Sequence, residues 1–475
     1  MYKKEFLKNT IRQFLEEYQN KTAFFIYREK GIYRISYKKF GKDILRAART
    51  LVDNDIKKKH IALAIENCYE WYVVFFAILI SGNTAVLLNQ NLATEELVNQ
   101  CRFADVEYIF GDSNLKEICD GERIIFLSWT KLYGERMLSY DEIFCPEKMD
   151  MLCLLFTSGT LGTTKGVMLS ANNMRICMSS LMDKFHVHKT LLVLPLYHIS
   201  GIGGTLYLLT GGKTVCIGRG IKYIFQDLPL LNPNHIFMVP GILNRLVKLL
   251  KKHPDRKERE KYIGTNLKYI GVGGAASNEQ ICKYLINQGF ELSTGYGLSE
   301  TAGSAMMGIL TEDKVKSIGK LEEGMKCRIE NGEILLSGES IMLGYYKDLK
   351  ATQQAIKDGW LHTGDLGYQD KDGWYYLTGR KKNVIILSNG ENVSPEQLEE
   401  TLSRYEVIIE CIVYSVPKGI CADIYTQNKY LAERCIREYN LNVPTYRQIF
   451  HVNYYNSPLE KTGSGKIKRK VNQYE

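Results

Sequence analysis

No two cysteines in this 475-residue chain are spaced CxxC, although there are twelve of them. Thiols scattered in this way argue against a disulfide framework or a zinc ribbon and for the reduced state of a cytoplasm. Long apolar runs are missing as well. The longest, Trp71 to Ile80, ends at Ser81-Gly82-Asn83 after ten residues, where a membrane-spanning helix needs about 18–20. It predicts a buried helix. The opening Met1-Tyr-Lys-Lys-Glu-Phe has neither the apolar stretch nor the small-residue cleavage site of a secretory leader. Fixed periods and biased segments are absent, which excludes solenoids and long linkers. The charge is also unremarkable: 62 basic and 53 acidic side chains leave +9, spread along the chain and no indication of nucleic acid. What remains is a globular composition with material for two or three domains.

Continuous apolar segments (His60-Ile-Ala-Leu-Ala-Ile, Thr84-Ala-Val-Leu-Leu, Glu107-Tyr-Ile-Phe, Leu191-Leu-Val-Leu-Pro) alternate with amphipathic ones. Strands that are apolar on both faces predict α/β layers. From about Asn331 the texture changes to short strands with turn signals at Asn331-Gly332, Ser337-Gly338, Asp358-Gly359 and Asp372-Gly373, an antiparallel section. Beyond a boundary near Gly379–Lys382 a mixed segment begins, with Ser394-Pro395-Glu396-Gln397 as the capping box of a helix.

The segment richest in chemistry is Leu155-Phe156-Thr157-Ser158-Gly159-Thr160-Leu161-Gly162-Thr163-Thr164-Lys165-Gly166. An apolar strand runs into hydroxyls and glycines and then a lysine, the donors and charge that cradle a phosphate. It is not a Walker A loop, because Thr164 stands where the second glycine belongs and Gly166 where Ser or Thr would hold magnesium. Gly463-Ser464-Gly465-Lys466-Ile467 fails the same test through Glu460 and Ile467. Gly271-Val272-Gly273-Gly274-Ala275-Ala276, with Glu291 twenty residues after Gly271, satisfies a loose dinucleotide fingerprint. The same residues read equally as a small-residue strand end beside a flat ligand, followed by a capping box at Ser277-Asn-Glu-Gln280.

Four more motifs follow in order: Thr294-Gly-Tyr296-Gly297-Leu-Ser-Glu300-Thr301, Gly359-Trp-Leu-His-Thr363-Gly364-Asp365, Thr378-Gly379-Arg380-Lys381-Lys382 and Leu387-Ser388-Asn389-Gly390-Glu391-Asn392. With the hydroxyl loop and Lys466, the set resembles the adenylate-forming superfamily of acyl- and aryl-CoA synthetases, luciferases and peptide-synthetase adenylation domains. The resemblance runs over essentially the whole chain. It implies a multidomain α/β fold: residues 1–380 as a large N-terminal domain of αβ-layered subdomains plus a distorted antiparallel β section, and residues 381–475 as a small, mobile α+β domain carrying Lys466.

The resemblance also assigns roles. Thr157, Ser158, Gly159, Thr160, Gly162, Thr163, Thr164 and Lys165 would hold the phosphates of ATP. Gly273, Gly274 and Ala275 would border the adenine and Tyr296 would stack on it, with Gly297 and Thr301 beside them. Glu300 would hold Mg²⁺, a hard cation suited to a carboxylate plus phosphate oxygens. Asp365, read as sitting on a solvated turn, would accept the ribose hydroxyls, and Arg380 would add a contact. Lys382 would be the hinge. Lys466 would bridge the attacking carboxylate and the α-phosphate, and Gly390 would let a pantetheine arm pass. The implied enzyme is a cytoplasmic acyl-CoA synthetase, with no transmembrane segment, that makes an acyl-adenylate and pyrophosphate and then a thioester with CoA. Delivery to a carrier-protein thiol stays open.

Leu194-Pro-Leu-Tyr197-His198-Ile-Ser-Gly201-Ile-Gly203-Gly204 resembles the acid-pocket segment of acyl- and aryl-CoA synthetases, with His198 as a wall. Amino-acid-activating domains carry an aspartate nearby, and none occurs between Leu191 and Gly212. Fatty and aryl acids, including the succinylbenzoate type, are both open. The Lys381-to-Pro395 stretch, similar to that of bacterial long-chain acyl-CoA synthetases, leans toward fatty or other hydrophobic acids. Two features depart from the family: Thr164 replaces a usual proline, and the C-terminal domain is short, with an expected strand pair compressed into Ile420–Tyr425.

Overall fold

The computed structural model describes residues 3–28, 31–112, 115–120, 122–128, 132, 134–157, 164–179, 186–273, 278–387, 391–416, 419–461 and 467–469. Its centre is the helix Tyr69–Ile80, in which every side chain except Glu70 is buried, as its unbroken apolar run predicts. A seven-stranded sheet supplies one side of the surrounding core and a nine-stranded sheet the other, and residues of both meet in one cluster (Ile61, Leu87 and Leu155; Phe24 and Val215). The outer face of the seven-stranded sheet is covered by Thr94–Phe103 and Leu115–Asp120 through Leu97, Cys101 and Leu115. That of the nine-stranded sheet is covered by Ile224–Leu231, Pro240–Lys252 and Glu279–Asn287. Helices thus pack on both faces of both sheets, which is why their strands lack polar alternation. No described helix is long and apolar enough to cross a membrane.

The antiparallel section begins at Met325–Glu330, a few residues ahead of the turn signal that predicts it. Asn331 and Gly332, with φ of +51° and +79°, close the hairpin to Glu333–Gly338, the pair of positive dihedrals a tight hairpin turn demands. Asp358-Gly359 and Asp372-Gly373 likewise turn between strands Ile356–Lys357, Trp360–Gln369 and Tyr375–Arg380. Ser337-Gly338 does not turn. It ends a strand, its residues paired with Lys326 and Met325.

The C-terminal domain holds a two-stranded ribbon, Ile385–Ile386 with Asn392–Val393, and a three-stranded sheet of Glu410–Val416, Gly419–Tyr425 and Ile449–Tyr455. Its own core gathers Leu398, Leu402, Val413, Ile420, Ile424 and Ile436. The strand pair is therefore not compressed. Glu410–Val416 is its first member, pairing in register from Glu410 with Tyr425 to Val416 with Gly419, because Val413 there belongs to the core. Both capping boxes need correction. Helix Pro395–Leu402 starts with proline as expected, but the Ser394 hydroxyl donates to Glu396 (2.9 Å) instead of capping the backbone. Helix Glu279–Asn287 is capped by Asn278, which accepts from the Gln280 and Ile281 N–H groups; Ser277 lies outside the described residues.

Candidate functional site

A cleft of about 3240 Å³ runs between the N-terminal sheets and the C-terminal domain. Thr157, Lys165, His198, Gly273, Tyr296, Gly297, Glu300, Thr301, Asp365, Arg380 and Lys382 all border it. Motifs far apart in the chain, from Thr157 to Lys382, are thus brought to one space. Thr164 does not border it, although Lys165 does; successive residues of an extended chain face opposite ways. Ser158, Gly159, Thr160, Gly162, Thr163, Gly274, Ala275, Gly390 and Lys466 lie outside the described residues.

The phosphate-loop strands form a hairpin, Met151–Thr157 with Lys165–Ser170, whose register places Thr157 opposite Lys165. Gly344–Tyr345 adds to the far edge of this hairpin, Tyr345 opposite Val167. That pairing builds a cluster: the Lys165 ammonium stands 4.5 Å over the Tyr345 ring, and the Tyr345 hydroxyl donates to Glu300 Oε1 at 2.8 Å. Burial first, and then the Glu300 charge, push the Tyr345 phenol far above its ordinary pKa, so it stays a donor. Tyr345 is the residue that sequence reasoning missed. It carries no local motif, and only sheet pairing brings it to Glu300.

Glu300 lies on a short turn, Ser299–Thr301, held by Thr301, whose Oγ1 accepts from the Leu298 N–H at 2.9 Å. The turn folds back so closely that a Cβ on Gly297 would stand 2.3 Å from the Gly303 carbonyl oxygen. No other residue fits there.

On another wall, the Tyr296 hydroxyl donates to Asp365 Oδ2 at 2.7 Å and Arg380 Nε pairs with Oδ1 at 2.5 Å. Burial, then the Asp365 charge, raise the Tyr296 phenol well above its usual range. The expected solvated turn at Asp365 is wrong. Asp365 is 3% exposed in the middle of strand Trp360–Gln369, paired with Arg380 across the sheet. Gly364 (φ +70°) kinks the strand beside it, and Glu333 holds the kink by accepting the Gly364 N–H at 3.1 Å. Burial works against the Glu333 charge, but Lys381, 2.9 Å away, and that N–H outweigh it and hold the carboxyl below its usual pKa. Lys382 keeps an exposed side chain, yet partial desolvation, followed by the Arg380 charge, lowers its pKa. A lysine beside an arginine at a strand end is poorly stabilised where it stands.

His198 caps helix Ile199–Thr210 from an extended backbone, its carbonyl accepting from Gly201 and Ile202. The dinucleotide reading fails on geometry. Glu291 begins its strand opposite Tyr269, at the end away from Gly273, and pairs with Lys268 at 2.6 Å. A ribose at the carboxyl end of the strands is out of its reach.

A family model described as AMP-binding enzyme matches residues 11–346. A 2-succinylbenzoate–CoA ligase of Bacillus cytotoxicus is 28% identical over 403 residues, 79% of each chain. A long-chain-fatty-acid–CoA ligase of Bacillus subtilis is 26% identical over 481 residues, covering 86% of this chain and 83% of that one. Among solved structures, O-succinylbenzoate coenzyme A synthetase of Bacillus subtilis in complex with AMP superimposes with a TM-score of 0.85 at 22% identity over 98% of each chain.

Proposed function

Since the chain belongs to the AMP-binding enzyme family, we propose that it is an ATP-dependent acid–thiol ligase that joins a hydrophobic or aryl carboxylic acid to CoA. The observation that carries this reading is the convergence of two clusters, Lys165–Tyr345–Glu300 and Tyr296–Asp365–Arg380, on one cleft. The names of the relatives point the same way, since each is a ligase of an acid and CoA. We place the boundary between the two domains at residues 380 and 381, where the last strand of the antiparallel section ends.

In the first half-reaction a carboxylate oxygen bonds to the α-phosphorus of ATP while the bond to the β-phosphate oxygen breaks, releasing pyrophosphate. Lys165 would neutralise charge on the departing phosphates, and Asp365, a two-oxygen acceptor, would receive the ribose hydroxyls. Glu300 suits Mg²⁺, which needs one or two carboxylates plus phosphate oxygens; the ion would screen the same phosphate charge. In the second half-reaction the CoA sulfur attacks the acyl carbonyl, AMP leaves with the carboxyl oxygen, and the thiol proton passes to phosphate or solvent. Positioning and charge neutralisation supply most of the catalysis.

Acid-dependent ATP–pyrophosphate exchange across a panel of aryl and alkyl acids tests the reading. A folded protein that exchanges with none of them would sink it, and a thioester formed faster on a carrier-protein pantetheine than on CoA would reassign the acceptor. Two substitutions probe the walls. Tyr345→Phe keeps the ring beneath Lys165 but frees Glu300, and it is expected to raise the KM for MgATP about fivefold, the equivalent of about 1 kcal/mol for one hydrogen bond. Steady-state kinetics with ATP varied reads this directly. His198→Ala is expected to reorder the acids accepted while leaving the ATP KM within about twofold, far below the effect of removing a charged contact. An unchanged acid profile combined with impaired ATP use would move His198 to the nucleotide side.

A further inference from the structure

The strands Glu333–Gly338 and Trp360–Gln369 fall out of step beside the cleft. Leu335 stands opposite His362 and Glu333 opposite Leu366, so Thr363, Gly364 and Asp365 together face the single residue Ile334. A bulge of this kind leaves backbone groups without their ladder partners, and buried ones must find others. Side chains supply them here. The Thr363 hydroxyl donates to the Ile334 carbonyl at 2.6 Å and accepts the Asp365 N–H at 3.0 Å. The Gly364 N–H goes to Glu333 Oε1 at 3.1 Å. A Cβ on Gly364 would meet nothing within 4 Å, so glycine serves there for its positive φ and not for space.

A carboxylate is a costly choice for such a task. Glu333 is 5% exposed, and burying a charge is unfavourable unless it is paired and hydrogen-bonded. Its other oxygen, Oε2, meets both conditions: it takes the Lys381 ammonium at 2.9 Å and lies 3.6 Å from His362 Nδ1. With both oxygens engaged, Glu333 acts on the backbone, although it borders the cleft. Lys381 and His362 set the direction of the carboxylate, and the carboxylate sets Gly364. The next residue is Asp365, whose own carboxylate meets Tyr296 and Arg380.

We infer that Glu333 is a positioning residue for the nucleotide: by holding the bend at Gly364 it aims the Asp365 carboxylate at the ribose. This rests on the proposed function, in which Asp365 accepts the ribose hydroxyls, and deepens it by naming the residue that sets the acceptor's direction. Hydrogen bonds weaken steeply as their angle closes. A released bend therefore loses the ribose hydroxyls first, while the phosphates fall to another wall.

Calorimetric titration with ATP and with its 2′-deoxy and 3′-deoxy analogues tests this without turnover. Wild type is expected to bind ATP at least about tenfold tighter than either analogue, the scale of one hydrogen bond to a charged group. In Glu333→Ala that ratio should fall toward unity. A variant that is merely less stable loses active protein for all three ligands alike and keeps the ratio. Glu333→Gln retains an acceptor oxygen for the buried Gly364 N–H, and Lys381, with 66% of its side chain exposed, can turn to water; most of the ratio should survive. Glu333→Asp keeps the charge but is one methylene too short for that N–H, and it should lose the ratio as alanine does. The glutamine and aspartate variants thus decide the matter even where alanine does not fold. Asp365→Asn marks the level expected when the acceptor itself is gone. A ratio lost in Asp365→Asn but intact in folded Glu333→Ala or Glu333→Asp overturns the inference alone. A wild type that does not discriminate overturns the ribose assignment with it. The expected ratios in a protein that exchanges pyrophosphate with no acid would refute the ligase and leave the role of Glu333 standing.

Discussion

Lys466→Ala is expected to lose adenylation by a hundredfold or more while keeping its ability to convert a supplied acyl-adenylate to thioester. If Lys466 bridges the carboxylate and the α-phosphate, its removal deletes one donor from the transition-state charge, a loss of about 3 kcal/mol. The described residues on either side of it are anchored and border the cleft. Glu410 accepts the Leu459 N–H at 2.9 Å and pairs with Lys461. Lys461 bridges to Ile467, and the Lys468 N–H donates to the Glu460 carbonyl at 2.8 Å. Arg469 donates to Glu399 at 2.6 Å and to the Val413 carbonyl at 3.1 Å. Lys461, Ile467, Lys468 and Arg469 all line the cleft. Among the described residues, exposed polar contacts tie the segment 400–406 to the N-terminal domain: Lys316 to Glu400 at 3.1 Å, Lys251 to Glu406 at 3.4 Å, and the Asn278 amide to Ser403. Exposed pairs of this kind contribute about 0–1 kcal/mol each, weak enough to break if the domain is to turn about Lys382 before thiolation. Pyrophosphate exchange and single-turnover thioester formation, measured separately, decide it. An equal loss in both steps would refute the division of labour between two arrangements.

Much of this was legible in the sequence because the relevant signals are local. The strand of Met151–Thr157, the buried helix Tyr69–Ile80 and the turns at Asn331-Gly332 and Asp358-Gly359 each follow from a few adjacent residues whose preferences agree with the fold. The illegible features are those made by pairing. Tyr345 is one of 31 tyrosines and meets Glu300 only because a two-residue strand joins the edge of the phosphate-loop hairpin. Thr363-Gly364-Asp365 reads as a turn, and the structure makes it a kinked strand because Glu333, thirty-one residues from Gly364, holds the kink. Ser394 has every local reason to cap its helix, yet its hydroxyl is turned to the nearby Glu396 carboxylate, which also takes the Asn383 amide at 2.6 Å, and accepts no backbone N–H.

Asp365→Ala is expected to combine a loss of ATP use with a loss of stability, and the two can be separated. Asp365 is buried and engaged by Tyr296 and Arg380, so alanine leaves a phenol hydroxyl and a guanidinium facing a gap. Breaking a fully buried pair costs about 3–5 kcal/mol. Arg380 keeps 38% of its side chain exposed, and water can take up part of that charge, so about 2 kcal/mol is the expected destabilisation. Asp365→Asn keeps an acceptor for Tyr296 and nearly the same shape while deleting the charge. It should recover much of the stability but not the ATP site, because an amide offers one acceptor oxygen where a ribose diol and Arg380 need two. The expected pattern is a lowered melting temperature for alanine only, with kcat/KM for ATP down by about a hundredfold or more in both, the scale of two lost charge-assisted hydrogen bonds. Thermal unfolding beside ATP-varied exchange kinetics reads both quantities on the same preparations. Near-normal ATP saturation in a folded Asp365→Asn protein would remove Asp365 from the nucleotide site and leave it only the task of holding Arg380 and Tyr296 together.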